Sequence, residues 1–217
     1  NGGNNGSATV TGSGGTAATD YTYSWNTTPV QTTATASNLV AGNYTVTVTD
    51  DNGCTATDNV AITEPTALAA TMGTPTMVSC NGAVPADGSV TVTASGGTVA
   101  GNYTYLWSDG QTTATASNLA AGNYSVSITD DNSCTITAGP ISITEPTVLA
   151  ASMGTPSMVS CNGGNDGSVT VTASGGTVAG SYTYFWSDGQ TTATASNLVA
   201  GNYSVSITDD NSCTITA

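Results

Sequence analysis

The chain has 217 residues, with 14 acidic side chains, no lysine, arginine or histidine, and a formal net charge of −14. Without imidazole, amine or guanidinium groups it has no histidine-type base, no Schiff-base nucleophile and no partner for phosphate, which excludes much catalytic chemistry, nucleic-acid binding and attraction to an anionic membrane. Only 6% of the residues are charged and 38% are hydrophobic, a composition that favours a folded chain over a disordered one.

One segment of the sequence occurs three times along the chain. The segment QTTATASNL stands at 31–39, 111–119 and 190–198. A tryptophan accompanies each copy at intervals of about 80 residues, at Trp25, Trp107 and Trp186. This period is too long for a solenoid turn and suits a small sandwich domain. We therefore predict three tandem units: 1–66, which lacks its first strand and cysteine, 67–147, which is complete, and 148–217, which is truncated at its C-terminal end.

Alternating apolar and polar residues predict β-strands throughout the middle unit. In chain order these are a strand within 67–80 and the segments 88–95, 103–108, 112–119, 123–130 and 134–144. Val90 and Val92 alternate with threonines, so that strand has one inward face. The Asp-Gly pair in SDGQ predicts a hairpin turn after Trp107. Because no helical periodicity occurs in any unit, the chain is predicted to be all-β.

Aromatic residues indicate which kind of sandwich this is. In LAAGNYSV, a leucine, a glycine-containing corner and a tyrosine that opens a strand are typical of the tyrosine corner of Greek-key sandwiches. The predicted structural core contains Trp25, Trp107, Trp186, Tyr44, Tyr124 and Tyr203. The position between tyrosine and tryptophan varies and is predicted to face outward, at Ser24, Leu106 and Phe185. We predict tandem immunoglobulin-like Greek-key β-sandwich domains of about 80 residues per repeat.

Five cysteines mark the beginnings and ends of the units. Cys80 and Cys161 open units in the phrase CNG, and Cys54, Cys134 and Cys213 close them. Counting one chain reversal per predicted hairpin places the opening and closing cysteines of a unit at the same end of its sandwich. The predicted disulfides are Cys80–Cys134, Cys161–Cys213 and Cys54 with a cysteine preceding Asn1; the alternative is Cys54–Cys80 and Cys134–Cys161. Disulfides indicate an oxidising, extracellular compartment, and no unit offers the close cysteine pair or histidine of a zinc site.

The aspartates are the remaining candidate ligands. The same hairpin count gathers them at the disulfide end as possible calcium ligands, namely Asp87, Asp109, Asp130, Asp131, Asp166, Asp188, Asp209 and Asp210. Aspartate is also an ordinary turn former, and the chain has no EF-hand spacing. Paired carboxylates can serve a glycosidase, but adjacent aspartates in a turn that recurs in every unit do not predict an active site. We predict no catalytic residue and no cofactor other than possible calcium.

The assembled pattern of CNG, DGSVTVTASGGT, TTATASNL, AGNYSVSITDDNSCT and ITEPT resembles the SprB-type repeat of Bacteroidetes surface adhesins. It is similar, more loosely, to polycystic-kidney-disease-type immunoglobulin-like domains. The resemblance covers each unit once, although NTTPVQ replaces SDGQ in the first. It implies a very long protein secreted by the type IX system and displayed as filaments that grip the substratum in gliding bacteria. It implies no catalytic residues.

These observations predict a structural and adhesive segment of an extracellular filament or adhesin stalk at the cell surface. Its expected partners are neighbouring repeats, other copies in a filament, and an external surface or polysaccharide. Nucleic acid is not expected, and neither is membrane insertion, because no apolar run approaches the length of a membrane span. The alternatives are a glycan-binding or calcium-dependent adhesion module, and a matrix or sheath protein that polymerises laterally.

Overall fold

The structure is a computed structural model that describes residues 2–16 and 20–217. These residues form β-strands, turns and loops, and none of them is helical, which confirms the all-β prediction. Within this described part, therefore, no helix could cross a membrane. The chain divides into two compact units: unit 1 is Asn1–Ala69, Ser95–Asn102 and Asp130–Cys134, and unit 2 is Ala70–Ala94, Tyr103–Thr129 and Thr135–Ala217. The three-unit boundaries after residues 66 and 147 stay a prediction.

The first sandwich lies in unit 1. Its strands are β1 (Gly6–Thr9), β2 (Thr22–Trp25), β3 (Thr35–Leu39), β4 (Gly42–Thr49) and β5 (Thr55–Ile62). They form two antiparallel sheets, of order β1-β3 and β2-β4-β5. The buried residues between the sheets are Trp25, Ala36, Leu39 and Val46.

The second sandwich has six strands. They are β6 (Ala69–Met72), β7 (Gly88–Ser95), β8 (Thr104–Trp107), β9 (Thr115–Leu119), β10 (Gly122–Thr129) and β11 (Thr135–Ile143). One sheet has the order β6-β7-β9 and the other β8-β10-β11. With its first, second and fourth strands in one sheet and its third, fifth and sixth in the other, this sandwich has the immunoglobulin-like Greek-key arrangement.

The third sandwich repeats that order in unit 2. Its strands are β12 (Thr147–Met153), β13 (Gly167–Gly176), β14 (Thr183–Trp186), β15 (Thr194–Leu198), β16 (Val205–Thr208) and β17 (Thr214–Thr216). The two sheets are β12-β13-β15 and β14-β16-β17. A three-residue gap separates the strands of the second and third sandwiches: β11 ends at Ile143 and β12 begins at Thr147, so only residues 144–146 connect them.

The period-two pattern decides which side chains reach the core. Val90 and Val92 on β7 are buried and the threonines that follow them, Thr91 and Thr93, are exposed, because successive strand residues point to opposite faces. Trp107 is 2% exposed, whereas Leu106 beside it on β8 is 58% exposed. The equivalent outward residue in the third sandwich, Phe185, is 63% exposed. The outward face of this strand therefore presents a large apolar side chain in two of the three sandwiches.

Polar atoms of the core aromatic side chains donate hydrogen bonds to the segments that connect the strands. The indole Nε1–H of Trp107 donates to the carbonyl oxygen of Thr113 at 2.8 Å. The hydroxyl of Tyr124 donates to the carbonyl oxygen of Ala120 at 3.0 Å, four residues upstream. Such a bond back to the preceding corner is the geometry of a tyrosine corner. Tyr44 and Tyr203 make the equivalent bonds to Val40 and Val199.

The connection between β8 and β9 is not the hairpin that the sequence predicts. Asp109-Gly110 does form a tight turn, with Trp107 N–H donating to Gln111 O at 2.9 Å, but the chain then crosses to the other sheet. β9 ends at Leu119 opposite the first residue of β7, Gly88, and only residues 120 and 121 lie between β9 and β10. Gly88 lies against Ile143, which pairs with Gly122, so β7 and β10 begin at the same end of the sandwich. Since β8 is antiparallel to β10 and β9 is antiparallel to β7, β8 and β9 run in the same direction. One expected reversal is therefore missing.

Candidate functional site

Each sandwich has an acidic turn before its last strand, here called the closing turn. The closing turns are residues 50–54, 130–134 and 209–213. In the second, Asp130 N–H donates to Cys134 O and Ser133 N–H donates to Asp130 O, both at 3.0 Å. Ser133 has a φ of 62°, in the left-handed region. The sequence Asp-Asp-Asn favours such a turn because short polar side chains can bond to the nearby backbone.

The first aspartate of the closing turn ties two loops together. Asp130 is buried, and its Oδ1 accepts the N–H groups of Asn132 at 3.0 Å and Cys134 at 2.8 Å. Its Oδ2 accepts the N–H of Thr98, in the loop after β7, at 2.9 Å. The hydrogen bond from Thr98 is the main cause that lowers the pKa of Asp130, against the opposing effect of burial. The carboxylate is thus held ionised as a structural acceptor.

The same arrangement recurs in the third sandwich. Asp209 accepts the N–H groups of Asn211 at 3.0 Å and Cys213 at 2.9 Å, and that of Thr177 at 2.8 Å. Burial raises the pKa of Asp209, but the three backbone hydrogen bonds outweigh it and the pKa is lowered. In the first sandwich, the pKa of Asp50 is lowered mainly by its hydrogen bond from Thr16.

The other aspartates bind protein groups in separate places. Asp131 Oδ2 accepts the N–H of Gly101 at 3.2 Å, and Asp210 makes the equivalent bond to Gly180. The carboxylates of Asp109 and Asp188 accept the side-chain amides of Gln111 and Gln190. Asp87 accepts the N–H of Ser79 and Asp166 that of Ser160, each at 2.9 Å. Hydrogen bonds from the side chain and backbone of these two serines lower the pKa of Asp87 and of Asp166.

The predicted gathering of aspartates at one end of a sandwich is wrong. Asp87 precedes the start of β7, at the end of the sandwich where β10 also begins. Asp130 and Asp131 follow the end of β10, at the opposite end of the sandwich. The missing reversal between β8 and β9 is the reason. Among the residues that the structure describes, no three acidic or cysteine side chains are grouped so as to hold a metal ion. Calcium binding stays a prediction.

The disulfide also differs from the predicted pairing. Cys80, which opens the second sequence repeat, is bonded to Cys213, in the closing turn of the third sandwich, with a Cα–Cα distance of 5.7 Å. Cys80–Cys134 and Cys161–Cys213 do not form, and neither does Cys54–Cys80 or Cys134–Cys161. Within the described part of the chain, Cys54, Cys134 and Cys161 are exposed free thiols.

The direction of the strands explains this correction. Cys80 precedes β7 and shares an end of the sandwich with Ile143, since Gly82 N–H donates to Glu145 Oε2 at 2.9 Å. Thr129 and Thr135, which flank the closing turn, pair with each other at the other end of β10. A strand of eight residues is about 25 Å long. Disulfides need Cα atoms within about 7 Å, so Cys80 and Cys134, the two cysteines of one sequence repeat, cannot meet.

Residues beside the disulfide were not singled out from the sequence. Asn211 of the closing turn donates its side-chain amide to Ser79 O at 2.9 Å and to Thr177 Oγ1 at 3.1 Å. This contact joins the beginning of the second sandwich to the closing turn of the third, within unit 2. The available signal was the recurrence of Ser-Cys-Asn-Gly, Gly-Gly-Thr and Asp-Asp-Asn in both the second and the third repeat, three polar phrases that a sandwich core does not need.

Comparison with solved structures finds multi-domain chains of low identity. The three N-terminal domains of the bacteriophage RB49 highly immunogenic outer capsid protein are 16% identical, with a TM-score of 0.42 over 91% of this chain and 84% of that one. The N-terminal eight immunoglobulin domains of Down syndrome cell adhesion molecule isoform 1.30.30 are 11% identical, with a TM-score of 0.37 over 91% and 31%. Extracellular domains 3–5 of Drosophila OTK are 13% identical, with a TM-score of 0.26 over 91% and 84%. The immunoglobulin-like assignment rests on the strand order given above.

Comparison by sequence is more informative. No curated protein matches the chain. The family of the SprB repeat matches three segments, residues 1–29, 73–112 and 154–191, one in each sequence unit. This match and the disulfide support an extracellular adhesin-type repeat of structural character. The chain is therefore built of SprB-type repeats, as the sequence pattern predicts.

Proposed function

We propose that the chain is a structural and adhesive segment of a long extracellular filament or adhesin stalk, used in surface attachment and gliding motility. One observation carries the proposal: two successive sandwiches of the same kind are joined by a covalent bond, Cys80–Cys213, in addition to the chain itself. An isolated binding module does not need such a bond. A stalk does, because tension along the filament acts on every junction between its domains.

Two further features support a stalk. Residues 144–146 are the whole connection between β11 and β12, and Pro146 stiffens it, so the spacing of the sandwiches is set by a short link. The net charge of −14 without any cation makes neighbouring filaments repel each other. Secretion by the type IX system and display at the cell surface complete this proposal.

The experiment is to image the surface of the cells that make the protein, using an antibody raised against this chain. A stalk predicts thin filaments labelled along their length, and antibody binding that reduces attachment and gliding. Label in laterally ordered sheets would favour a matrix or sheath protein. Label confined to the cell interior would overturn the proposal.

A second candidate, a glycan-contacting module, is favoured by one observation. Phe185 is 63% exposed on an edge strand, β14, and exposed aromatic rings stack on sugars. The first sandwich supplies the natural control residue, since serine occupies this position at Ser24. Glycan-array binding that is lost in Phe185→Ser would favour this candidate, and unchanged or absent binding would leave the stalk as the function.

A further inference from the structure

The disulfide of unit 2 joins the beginning of one sandwich to the end of the next. Cys80 lies ahead of the first residue of β7, and Cys213 lies in the last turn of the third sandwich. The bond therefore links the opening cysteine of one repeat to the closing-turn cysteine of the following repeat, and this pairing serves as a rule for the other cysteines. A rule of this kind can be tested at a second junction, because unit 1 contains the corresponding closing turn and the residues that follow the position of the opening cysteine.

The opening segment of the first sandwich is held in the same way as that of the second. Gly82 N–H donates to the side chain of Glu145, the glutamate of the second ITEPT phrase, at 2.9 Å. Gly2 N–H donates to the side chain of Glu64, the glutamate of the first ITEPT phrase, at 2.5 Å. In the sequence, Asn1-Gly2 aligns with Asn81-Gly82, so the position directly before Asn1 corresponds to Cys80.

The closing turn of the second sandwich faces that opening segment. Within unit 1, one groove is lined by Gly3 and Asn4 of the opening segment together with Asn132 and Cys134 of the closing turn. The corresponding groove in unit 2 is lined by Ser79 and Asn211, the neighbours of the bonded cysteines. Cys134 is exposed in this position and so is accessible to a partner thiol.

We propose that Cys134 is the disulfide partner of a cysteine directly preceding Asn1, and that arrays of this repeat are cross-linked by overlapping disulfides. Each bond joins the opening cysteine of one repeat to the closing-turn cysteine of the next. By the same rule Cys161 pairs with the closing turn of a following repeat, and Cys54 with the opening cysteine of a preceding one. The three free thiols thus have their partners in neighbouring repeats of the array.

The bond forms by ordinary thiol–disulfide exchange with a disulfide-containing oxidant, such as a dithiol oxidoreductase or oxidised glutathione. One cysteine thiolate attacks the oxidant and releases one thiol, leaving a mixed disulfide. The second thiolate attacks that mixed disulfide and releases the other thiol. The two protein thiols lose two protons and two electrons, and the oxidant is reduced to two thiols.

Overlap is the consequence that distinguishes this arrangement from disulfides within each repeat. The Cys80–Cys213 bond encloses a sequence separation of 133 residues. A bond from the position before Asn1 to Cys134 encloses a loop that overlaps it between residues 80 and 134. In overlapping loops, a force that enters through one bond and leaves through the other is carried by residues 80–134, and the remaining residues of both loops are shielded, so the bonds set a covalent limit to the extension of the array.

The test is to add Ser-Cys directly before Asn1, copying Ser79-Cys80, and to oxidise the chain with oxidised glutathione. After free thiols are alkylated, chymotrypsin and an aspartate-directed protease yield peptides for mass spectrometry, since trypsin has no cleavage site in this sequence. We expect two bonds: Cys80–Cys213, which also reports that the chain has folded, and a bond from the added cysteine to Cys134.

Matched variants separate the possible partners. In the extended chain, Cys134→Ser is expected to leave the added cysteine alkylated, whereas Cys54→Ser is expected to leave the new bond intact. A bond from the added cysteine to Cys54 would overturn the proposal in favour of closure within one repeat. It would also be overturned if the added cysteine stayed free while Cys80–Cys213 formed, or if Cys80–Cys213 itself did not form.

Discussion

At the scale of single residues, the aspartate of the closing turn shows how a reactive-looking group is used for structure. Asp209 is buried and accepts three backbone N–H groups, from Thr177, Asn211 and Cys213. Its carboxylate accepts hydrogen bonds from backbone N–H groups that would otherwise have no partner in the turn. Burying such N–H groups without partners lowers the stability of the fold. The carboxylate also orients the backbone of Cys213. The acidic turn therefore positions the cysteine.

We expect stability to fall when this carboxylate is protonated. The folded-state pKa of Asp209 is below its ordinary value, so the unfolded state binds more protons in acid. The contribution is complete above the ordinary aspartate pKa of about 3.9 and is lost as the pH falls through the lower folded-state pKa. The melting temperature, followed by near-ultraviolet circular dichroism, should be level from neutral pH to about pH 5 and then decline.

The variant Asp209→Asn should melt at a lower temperature at neutral pH, because its amide N–H₂ group would face a backbone donor. It should also lose part of the decline in acid. The control is Asp188→Asn in the same sandwich, an exposed residue that accepts a side-chain amide from Gln190, and its acid decline should match that of the unchanged chain. Equal curves for both variants would contradict this role of Asp209.

Two glycines with similar backbone angles differ in the space around them, so substituting each one separates the effect of backbone strain from that of steric overlap. Gly175 has a φ of 74° and Gly189 a φ of 91°. A Cβ at Gly189 would meet open space, so Gly189→Ala should cost about 1–2 kcal/mol of unfolding free energy from the backbone conformation alone. A Cβ at Gly175 would overlap the carbonyl oxygen of Val148, so Gly175→Ala should cost clearly more. Equal losses in urea unfolding would contradict the close approach of these strands.

At the scale of elements, each sandwich is stabilised by the inward faces of strands in two opposing sheets. In the second sandwich, Ile128 on β10 lies opposite Tyr105 on β8 and is fully buried. Leu106 is next to Tyr105 on the same strand, yet it points to solvent. The alternation of a strand thus gives neighbouring apolar residues opposite roles, and only the inward one stabilises the fold by burial.

We therefore expect Ile128→Ala and Leu106→Ala to differ widely. Removing the buried side chain leaves a cavity and should lower the free energy of unfolding by about 2–5 kcal/mol. Removing the exposed one should change it by no more than about 0.5 kcal/mol. Urea unfolding followed by tryptophan fluorescence measures both. A large loss in Leu106→Ala would indicate that this outward face is covered in solution.

At the scale of the whole molecule, the disulfide limits how far tension can extend the chain. A chain pulled at its termini transmits force through every fold in series, but Cys80–Cys213 provides a covalent bypass around the residues between them. Sandwiches inside the bypass cannot extend even when they unfold. This property suits a filament that must keep its reach under load, and it does not depend on any ligand.

Single-molecule pulling should detect this bypass directly. In the oxidised chain only residues outside the 80–213 loop can extend, and reduction should release up to roughly 450 Å more contour length, because 133 residues become extensible at about 3.4 Å each. Cys213→Ser should behave as the reduced chain does. Cys54→Ser should behave as the oxidised chain does. The same extension before and after reduction would contradict the bond.

Local features of the sequence were sufficient to predict the elements of this protein. Period-two alternation in GSVTVTAS identifies a strand and its buried face, and the tyrosine after a glycine-containing corner identifies the strand that follows. These features depend on residues close together in the chain, so one sequence is enough to recognise them. Repetition of the whole pattern then indicated a family, and the match to the SprB repeat confirms it.

The all-β class, the tandem repetition and the pattern of the repeat all follow from local periodicity, so one sequence is enough to establish them. Where the ends of the strands lie follows instead from contacts between residues far apart in the chain. A turn at Asp109-Gly110 looks the same locally whether the chain returns within a sheet or crosses to the opposite one, yet crossing changes the direction of every later strand. That single change carries Cys134 away from Cys80 and leaves Cys80 to bond with Cys213 of the next sandwich, because disulfide pairing depends on distance in space and not on position within a repeat.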